Sequence, residues 1–316
     1  MIIKILIITL ITTTLSMARD ISPLYRLSTS GLVSDFVVDS GKIYIATNQG
    51  SIDIFDLRTQ KIVDRVVLKP TRTVRGELVP TAIYSVDRMN GKTLFVSRGR
   101  EGYRDVWVKE GLHLKKIIDS DKKVVTKKAY FINEEHVLLG TFGSDAILYD
   151  QTEGYRLYHE HVSQSALGGM ILSSDKKTMV MADESGMVRI IDVISSKVLE
   201  SYSSQNLDNI YRVAYQSGTL ITAGQDRRVG VYPKVGEPYH IRSDFLVYAV
   251  GLSPSAKVGI FSSGMEHHLQ LFNLSTKALG DRLIGHRSVV NKIEFLTEQI
   301  VISAGDERDL LIWRLP

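Results

Sequence analysis

The chain has 316 residues, 44% apolar and 23% charged, a balance typical of folded globular proteins rather than disordered ones. It has no cysteine, which excludes disulfides, thiolate metal sites, iron–sulfur clusters, a cysteine nucleophile and a lipidated N-terminal cysteine. The formal charge is +4, but 39 basic and 35 acidic residues are interspersed, so the concentrated basic face that nucleic acid requires is missing and no nucleic-acid partner is expected.

Residues 1–18, MIIKILIITLITTTLSMA, read as a cleavable export leader. Lys4 supplies the basic n-region. An apolar stretch follows from Ile5 to Leu15, diluted by Thr9 and by Thr12 to Thr14. Ser16 and Ala18 then place small side chains at the −3 and −1 positions of a cleavage site before Arg19. The competing readings are an uncleaved anchor or a buried first strand. The stretch is short for a bilayer span, and no later segment offers eighteen uninterrupted apolar residues, so stable membrane insertion is not expected. The expected product is a periplasmic chain, residues 19–316, forming one domain. A twin-arginine pair is missing, so the chain should cross the membrane unfolded, which argues against a cofactor inserted before export.

From residue 33 onward one pattern recurs. A strand, as at 33–38, 210–215 or 290–295, leads through a tight turn into an apolar strand, as at 42–46, 178–182, 219–223 or 300–304. A polar turn follows: Asn48-Gln49-Gly50, Glu184-Ser185-Gly186, Gly224-Gln225-Asp226 or Gly305-Asp306-Glu307. A third strand then ends in a large side chain, and a more amphipathic fourth, such as 61–68 or 197–202, completes the unit. Phe55, Trp107, Tyr149, Ile191, Tyr232, Phe272 and Trp313 hold equivalent places about forty residues apart. The gap from Phe55 to Trp107 is longer by about ten residues, which marks an insertion. Period-two alternation and β-branched enrichment make these strands, and helical periodicity is nearly absent.

Four-stranded units at this period are propeller blades, and seven third strands predict an all-β, seven-bladed β-propeller. The chain reaches Pro316 directly after the seventh third strand, so the last blade lacks an outer strand. Residues 23–28 have nothing else to pair with and are expected to supply it, which seals the ring and removes an open sheet edge.

The last unit resembles WD40 repeats through Gly285-His286, Ser303, Asp306 and Trp313. In that family these residue types form a hydrogen-bonded chain from turn to core, so the resemblance implies a structural tetrad of His286, Ser303, Asp306 and Trp313. A buried imidazole and indole N–H need partners, and Asp306 and Ser303 could supply them. Unit five keeps Thr222, Asp226 and Tyr232; the other units keep mainly the strand pattern. As a whole the chain is also similar to accessory proteins of periplasmic nitrate reductase clusters, in its short Ile/Leu/Thr leader, its length and its degenerate propeller. That likeness implies a soluble helper holding no metal or haem, with the reductase or its maturation factors as protein partners.

Candidate chemical sites are sparse. His159-Glu160-His161 would place two imidazoles on one side of a strand, but with no third ligand apparent it reads as a solvated face. Glu266-His267-His268 lies in a turn where adjacent side chains diverge. Gly168-Gly169 precedes no helix that could cradle a phosphate. No Ser-His-Asp or paired-carboxylate set can be assembled, so no catalytic residue, metal site or cofactor is assigned. The long connector holds Lys69, Arg72 and Arg75, and the turn inside unit two holds Arg98, Arg100, Tyr103 and Arg104. In a propeller these two loops share a face, so the seven residues are candidates for binding a carboxylate-rich protein. Lys115, Lys116, Lys122, Lys123, Lys127 and Lys128 read instead as lysines guarding strand edges.

The expected function is thus a monomeric, non-catalytic, protein-binding accessory protein. Two alternatives stand beside it. A propeller hydrolase with a channel metal would need inward polar groups on the first strands, where Asp35, Arg212 and Asn291 are the scattered candidates. A component of outer-membrane protein assembly would usually carry a lipidated cysteine.

Overall fold

A sheet built from runs that are apolar on both faces must be covered on both sides, and a ring of stacked sheets does this without end. The computed structural model describes residues 18–73 and 75–316, so apart from Ala18 the leader reading lies outside the described residues. Seven antiparallel sheets follow one another along the chain. Blade one runs through Val33–Asp39, Lys42–Thr47, Ser51–Asp56 and Lys61–Val67, from channel to rim. The other innermost strands are Ile83–Met89, Thr126–Phe131, Leu167–Leu172, Ile210–Gln216, Val250–Leu252 and Val290–Phe295. Among the described residues the helical structure is two single 3₁₀ turns, Arg100–Gly102 and Ser120–Lys122.

The core is divided accordingly. Seven hydrophobic clusters of buried residues each lie between two neighbouring blades. The aromatic residue ending a third strand is buried against the preceding sheet of the ring at Phe55, Phe272 and Trp313. Burying each such side chain contributes about 1.5–3 kcal/mol.

The ring closes as the chain termini require. Tyr25–Ser28 pairs antiparallel with Asp309–Arg314, with Tyr25 opposite Ile312 and Ser28 opposite Asp309. Arg26 Nη1 and Ser28 Oγ both donate to the Asp309 carboxylate, at 2.7 and 2.8 Å, and Leu27 is buried in the cluster between blades seven and one. Two features were not foreseen. Asp20–Ile21 adds a parallel strand to the outer edge of blade six, fixed by ion pairs Arg19–Asp281 and Arg282–Asp20 at 2.9 and 2.8 Å. The insertion, read as an irregular loop, contains a hairpin pairing Thr71–Arg72 with Leu78–Val79.

One buried carboxylate ties several blades together. Asp35, on the innermost strand of blade one, is 2% exposed. Its Oδ2 accepts from Val86 N of blade two at 3.1 Å and from Lys128 Nζ of blade three. Its Oδ1 accepts from Lys292 Nζ of blade seven at 2.9 Å, and Lys292 also donates to the Phe36 carbonyl. Burial pushes the Asp35 carboxyl up, but the two ammoniums outweigh it and hold the group well below the ordinary carboxylate range. Burial drives Lys128 the other way, down to about 8, against the pull of Asp35.

Two outcomes are expected. A chain ending its N-terminal deletion after Ser28 should lose several kcal/mol, lowering the melting temperature by roughly 5–10 °C for a domain of this size, as read by calorimetry. Asp35→Asn should cost about 3–5 kcal/mol in urea melts at neutral pH, because it strands two buried ammoniums. The pH dependence has a definite sign. A folded-state pKa below the unfolded one means the Asp35 contribution is complete above the ordinary value of about 3.9 and is lost as pH falls below it. Asp35→Asn should lack that portion of the acid sensitivity.

Candidate binding rim and channel mouth

The long connector and the turn inside blade two meet as propeller geometry requires. Arg98 Nη1 donates to the Pro80 carbonyl at 3.4 Å, and Arg98 N donates to Ala82 O at 2.8 Å. Lys69, Arg72, Arg75 and Arg100 are exposed around this junction. Arg72 Nη1 donates to Gly76 O at 2.8 Å, within its own hairpin. Arg100 faces Asp121 at 3.6 Å with both side chains about 70% exposed, a pair that holds neither charge firmly. Tyr103 is half-buried, its backbone closing the 3₁₀ turn onto Arg100 O at 2.9 Å. Arg104 departs from the group. Its guanidinium lies 4.1 Å over the Tyr84 ring and 5.9 Å from the Phe142 ring, half-buried in the seam between blades two and three.

The tetrad needs a correction. Trp313 Nε1 donates to Ser303 Oγ at 2.7 Å, and Ser303 Oγ lies 2.6 Å from His286 Nε2. The far imidazole nitrogen, Nδ1, faces Glu307 Oε1 at 2.6 Å, not Asp306. Asp306 is exposed, and its Oδ1 accepts from Asn291 Nδ2 at 3.1 Å. The turn Gly305-Asp306-Glu307 presents its second carboxylate inward, and adjacent residues point apart. In blade five the corresponding chain runs from Thr222 Oγ1 to Asn206 and on from Asn206 Nδ2 to Asp226 Oδ1 at 3.2 Å, with Asn206 in the place of histidine. In blade two Trp107 Nε1 donates to Ser97 Oγ at 2.9 Å.

On the outer strand of blade three, His159 and His161 do find a common partner that the local sequence did not reveal. His161 Nδ1 is 2.9 Å, and His159 Nε2 3.6 Å, from Asp145 Oδ1 on the neighbouring strand. Both imidazoles are exposed, and among the described residues no group of three His, Cys, Asp or Glu is arranged to hold a metal. His267 takes a left-handed backbone conformation in its turn while His268 starts the strand, so the pair diverges.

The channel holds residues that reading by neighbourhood misassigned. Lys127 and Lys128 are not edge lysines: they lie on the innermost strand of blade three. Six of the seven innermost strands have a register shift near their start on the side facing away from the channel, at Val33/Asp35, Ile83/Ser85, Thr126/Lys128, Leu167/Gly169, Ile210/Arg212 and Val290/Lys292. A bulge re-aims side chains, and here it gives each of these strands one extra residue near its start: Ser34, Tyr84, Lys127, Gly168, Tyr211 and Asn291. The next residue in each strand, Asp35, Ser85, Lys128, Gly169, Arg212 and Lys292, forms a second tier. Gly168 has a steric reason, since a Cβ there would stand 1.8 Å from Ile210 O of blade five. Across the seam between blades three and four, Lys127 Nζ and Tyr130 OH donate to the Leu167 and Met170 carbonyls. Arg212 Nε reaches across the ring to Asn291 O of blade seven at 2.8 Å. The inward carboxylates are committed: Asp35 to two lysines, Asp87 Oδ2 to Phe131 N at 2.7 Å, and Glu294 to Lys292 at 3.4 Å.

No protein-family model and no curated protein sequence matches the chain. Solved structures do. The β-propeller domain of Cps50 (Swd1) from Myceliophteria thermophila superposes with a TM-score of 0.71 at 14% identity, covering 93% of this chain and 99% of that one. A chain of the mitotic checkpoint complex superposes with a TM-score of 0.72, also at 14% identity, covering 100% of this chain and 98% of that one. Identity at this level speaks to architecture alone, and the architecture is a seven-bladed propeller of WD40 form.

Proposed function

We propose that this chain is a non-catalytic scaffold that binds another protein through the basic rim where blades one and two meet. The observation that carries the reading is the rim itself. Lys69, Arg72, Arg75 and Arg100 stand exposed on one face, from two loops joined by the Arg98–Pro80 contact, with no firm carboxylate partner among the described residues. Arginine forks of this kind suit carboxylates on a protein surface, with rim charges acting mainly on encounter rate and specificity. A rigid ring is a suitable platform because its loops are pinned at both ends by strands. One structural neighbour is a chain of a multi-protein checkpoint complex, which fits a role in association.

The finer reading places the chain in the periplasm after cleavage of the 1–18 leader. There it would act as a monomeric accessory to the nitrate reductase system, with the reductase or its maturation factors as partner. That part rests on the leader pattern and the whole-chain resemblance.

Replacing Arg72, Arg75 and Arg100 together by glutamate should reduce partner capture by at least about tenfold, roughly 1.4 kcal/mol, while the melting temperature stays unchanged. Crosslinking in intact cells, followed by mass spectrometry, reads the capture. Recovery of the same partners at the same yield by wild type and triple variant would show that the rim is not the docking site.

A further inference from the structure

The channel mouth contains two cations that form no ion pair among the described residues. Lys127 and Arg212 together line a cavity of about 390 Å3 at the mouth, and both also line an adjoining one of about 180 Å3. Elsewhere in the channel, positive charge is matched: Lys128 and Lys292 share Asp35. Lys127 and Arg212, by contrast, have no carboxylate within 4.0 Å among the described residues; each donates to a backbone carbonyl, Leu167 O and Asn291 O respectively, and Lys127 Nζ also lies 5.2 Å from the centre of the Phe142 ring. Arg212 spends Nε on that contact, which leaves the two Nη groups of its fork. Burial, reinforced by the Arg212 guanidinium and opposed by the Glu184 carboxylate, pushes the Lys127 ammonium down to about 8. Two like charges held together in a partly dehydrated space are unfavourable unless an anion joins them.

The surroundings limit what that anion can be. Tyr211 and Tyr248 form one wall of the larger cavity, their rings nearly parallel with centroids 5.1 Å apart. Gly168 also lines the cavity, packed so closely on blade five that a Cβ would stand 1.8 Å from Ile210 O. Glu184 and Asp306 also line the cavity, but they are exposed whereas both cations are half-buried. An entering group therefore meets two carboxylates as well as the two cations. Those carboxylates disfavour an acidic polypeptide or a multiply charged ion, and the site suits a small monoanion. A planar carboxylate matches the arginine fork better than a tetrahedral ion does.

We propose that the channel mouth binds a small monocarboxylate, gripped by the fork of Arg212 and by the Lys127 ammonium. This site is separate from the rim and does not depend on the scaffold reading. The test is calorimetric titration of the full chain with acetate, and with sulfate and chloride at the same ionic strength, backed by thermal melts. Acetate should bind saturably at one site per chain, more tightly than sulfate, and should raise the melting temperature by mass action. Lys127→Met and Arg212→Met should each weaken acetate binding at least about tenfold, roughly 1.4 kcal/mol, and abolish the melting shift. Arg72, Arg75 and Arg100 changed together should leave it untouched. If Arg212→Met proves unfolded by circular dichroism, Lys127→Gln, which alters a side chain at an open cavity, decides the matter. Absence of saturable binding up to about 100 mM acetate, equal affinity for acetate and sulfate, or unchanged affinity in the folded variants would overturn the proposal.

Discussion

The arrangement of the ring depends on a buried charge. Asp35 sits at the channel wall of blade one and takes donors from blades two, three and seven, so four of the seven sheets meet at a single carboxylate. The constraint is electrostatic. A carboxylate out of water is tolerable only with its lone pairs filled and its charge matched, and here two ammoniums and one backbone N–H do both. Apolar packing between blades has little directional preference and would accept small rotations of one sheet against the next. A short ion pair across the channel does not, and so it sets the spacing between blades that the seven apolar clusters then fill.

Polar chains perform the same service away from the channel. Trp313, Ser303, His286 and Glu307 form a line from the core of blade seven to its outer turn, so that the fully buried indole N–H has a partner. Blade five achieves a similar result with Asn206 and Asp226, and blade two keeps only the Trp107–Ser97 contact. The chemistry retained is the satisfaction of buried donors rather than any one residue set. This explains how blades so unlike in sequence adopt one shape.

The outer face and the channel mouth have different characters. On the rim, exposed arginines are screened by water and suited to a large, acidic surface. At the mouth, half-buried cations share a cavity with exposed carboxylates, a setting that suits a small, singly charged ligand. Both lie on the side of the disc where the innermost strands begin, and Arg104, stacked on Tyr84 between the two, belongs to neither. Its distance from the rim shows the limit of grouping residues by chain proximity alone.

Strand identity, blade number and ring closure were all legible in the sequence, because each follows from local periodicity and from counting third strands against chain ends. The sequence also indicated that His286, Ser303 and Trp313 cooperate. It could not decide between Asp306 and Glu307, since neighbouring carboxylates in a turn are told apart only by which one the backbone aims inward. Lys127 and Lys128 looked like edge lysines for a related reason: sequence neighbours suggest a charged stretch, whereas register places one in each tier of the channel. A usable signal existed, in the recurrence of Asp35, Lys128, Arg212 and Lys292 at one place in their units, but spacing does not say which members touch. The Asp20–Ile21 strand was equally hidden, as two residues carry no period. Local patterning in this chain therefore determined the kind and number of its parts. Only the closed ring, which brings residues more than 250 positions apart within hydrogen-bonding distance, decided which charges are paired, which are left open, and where a ligand could sit.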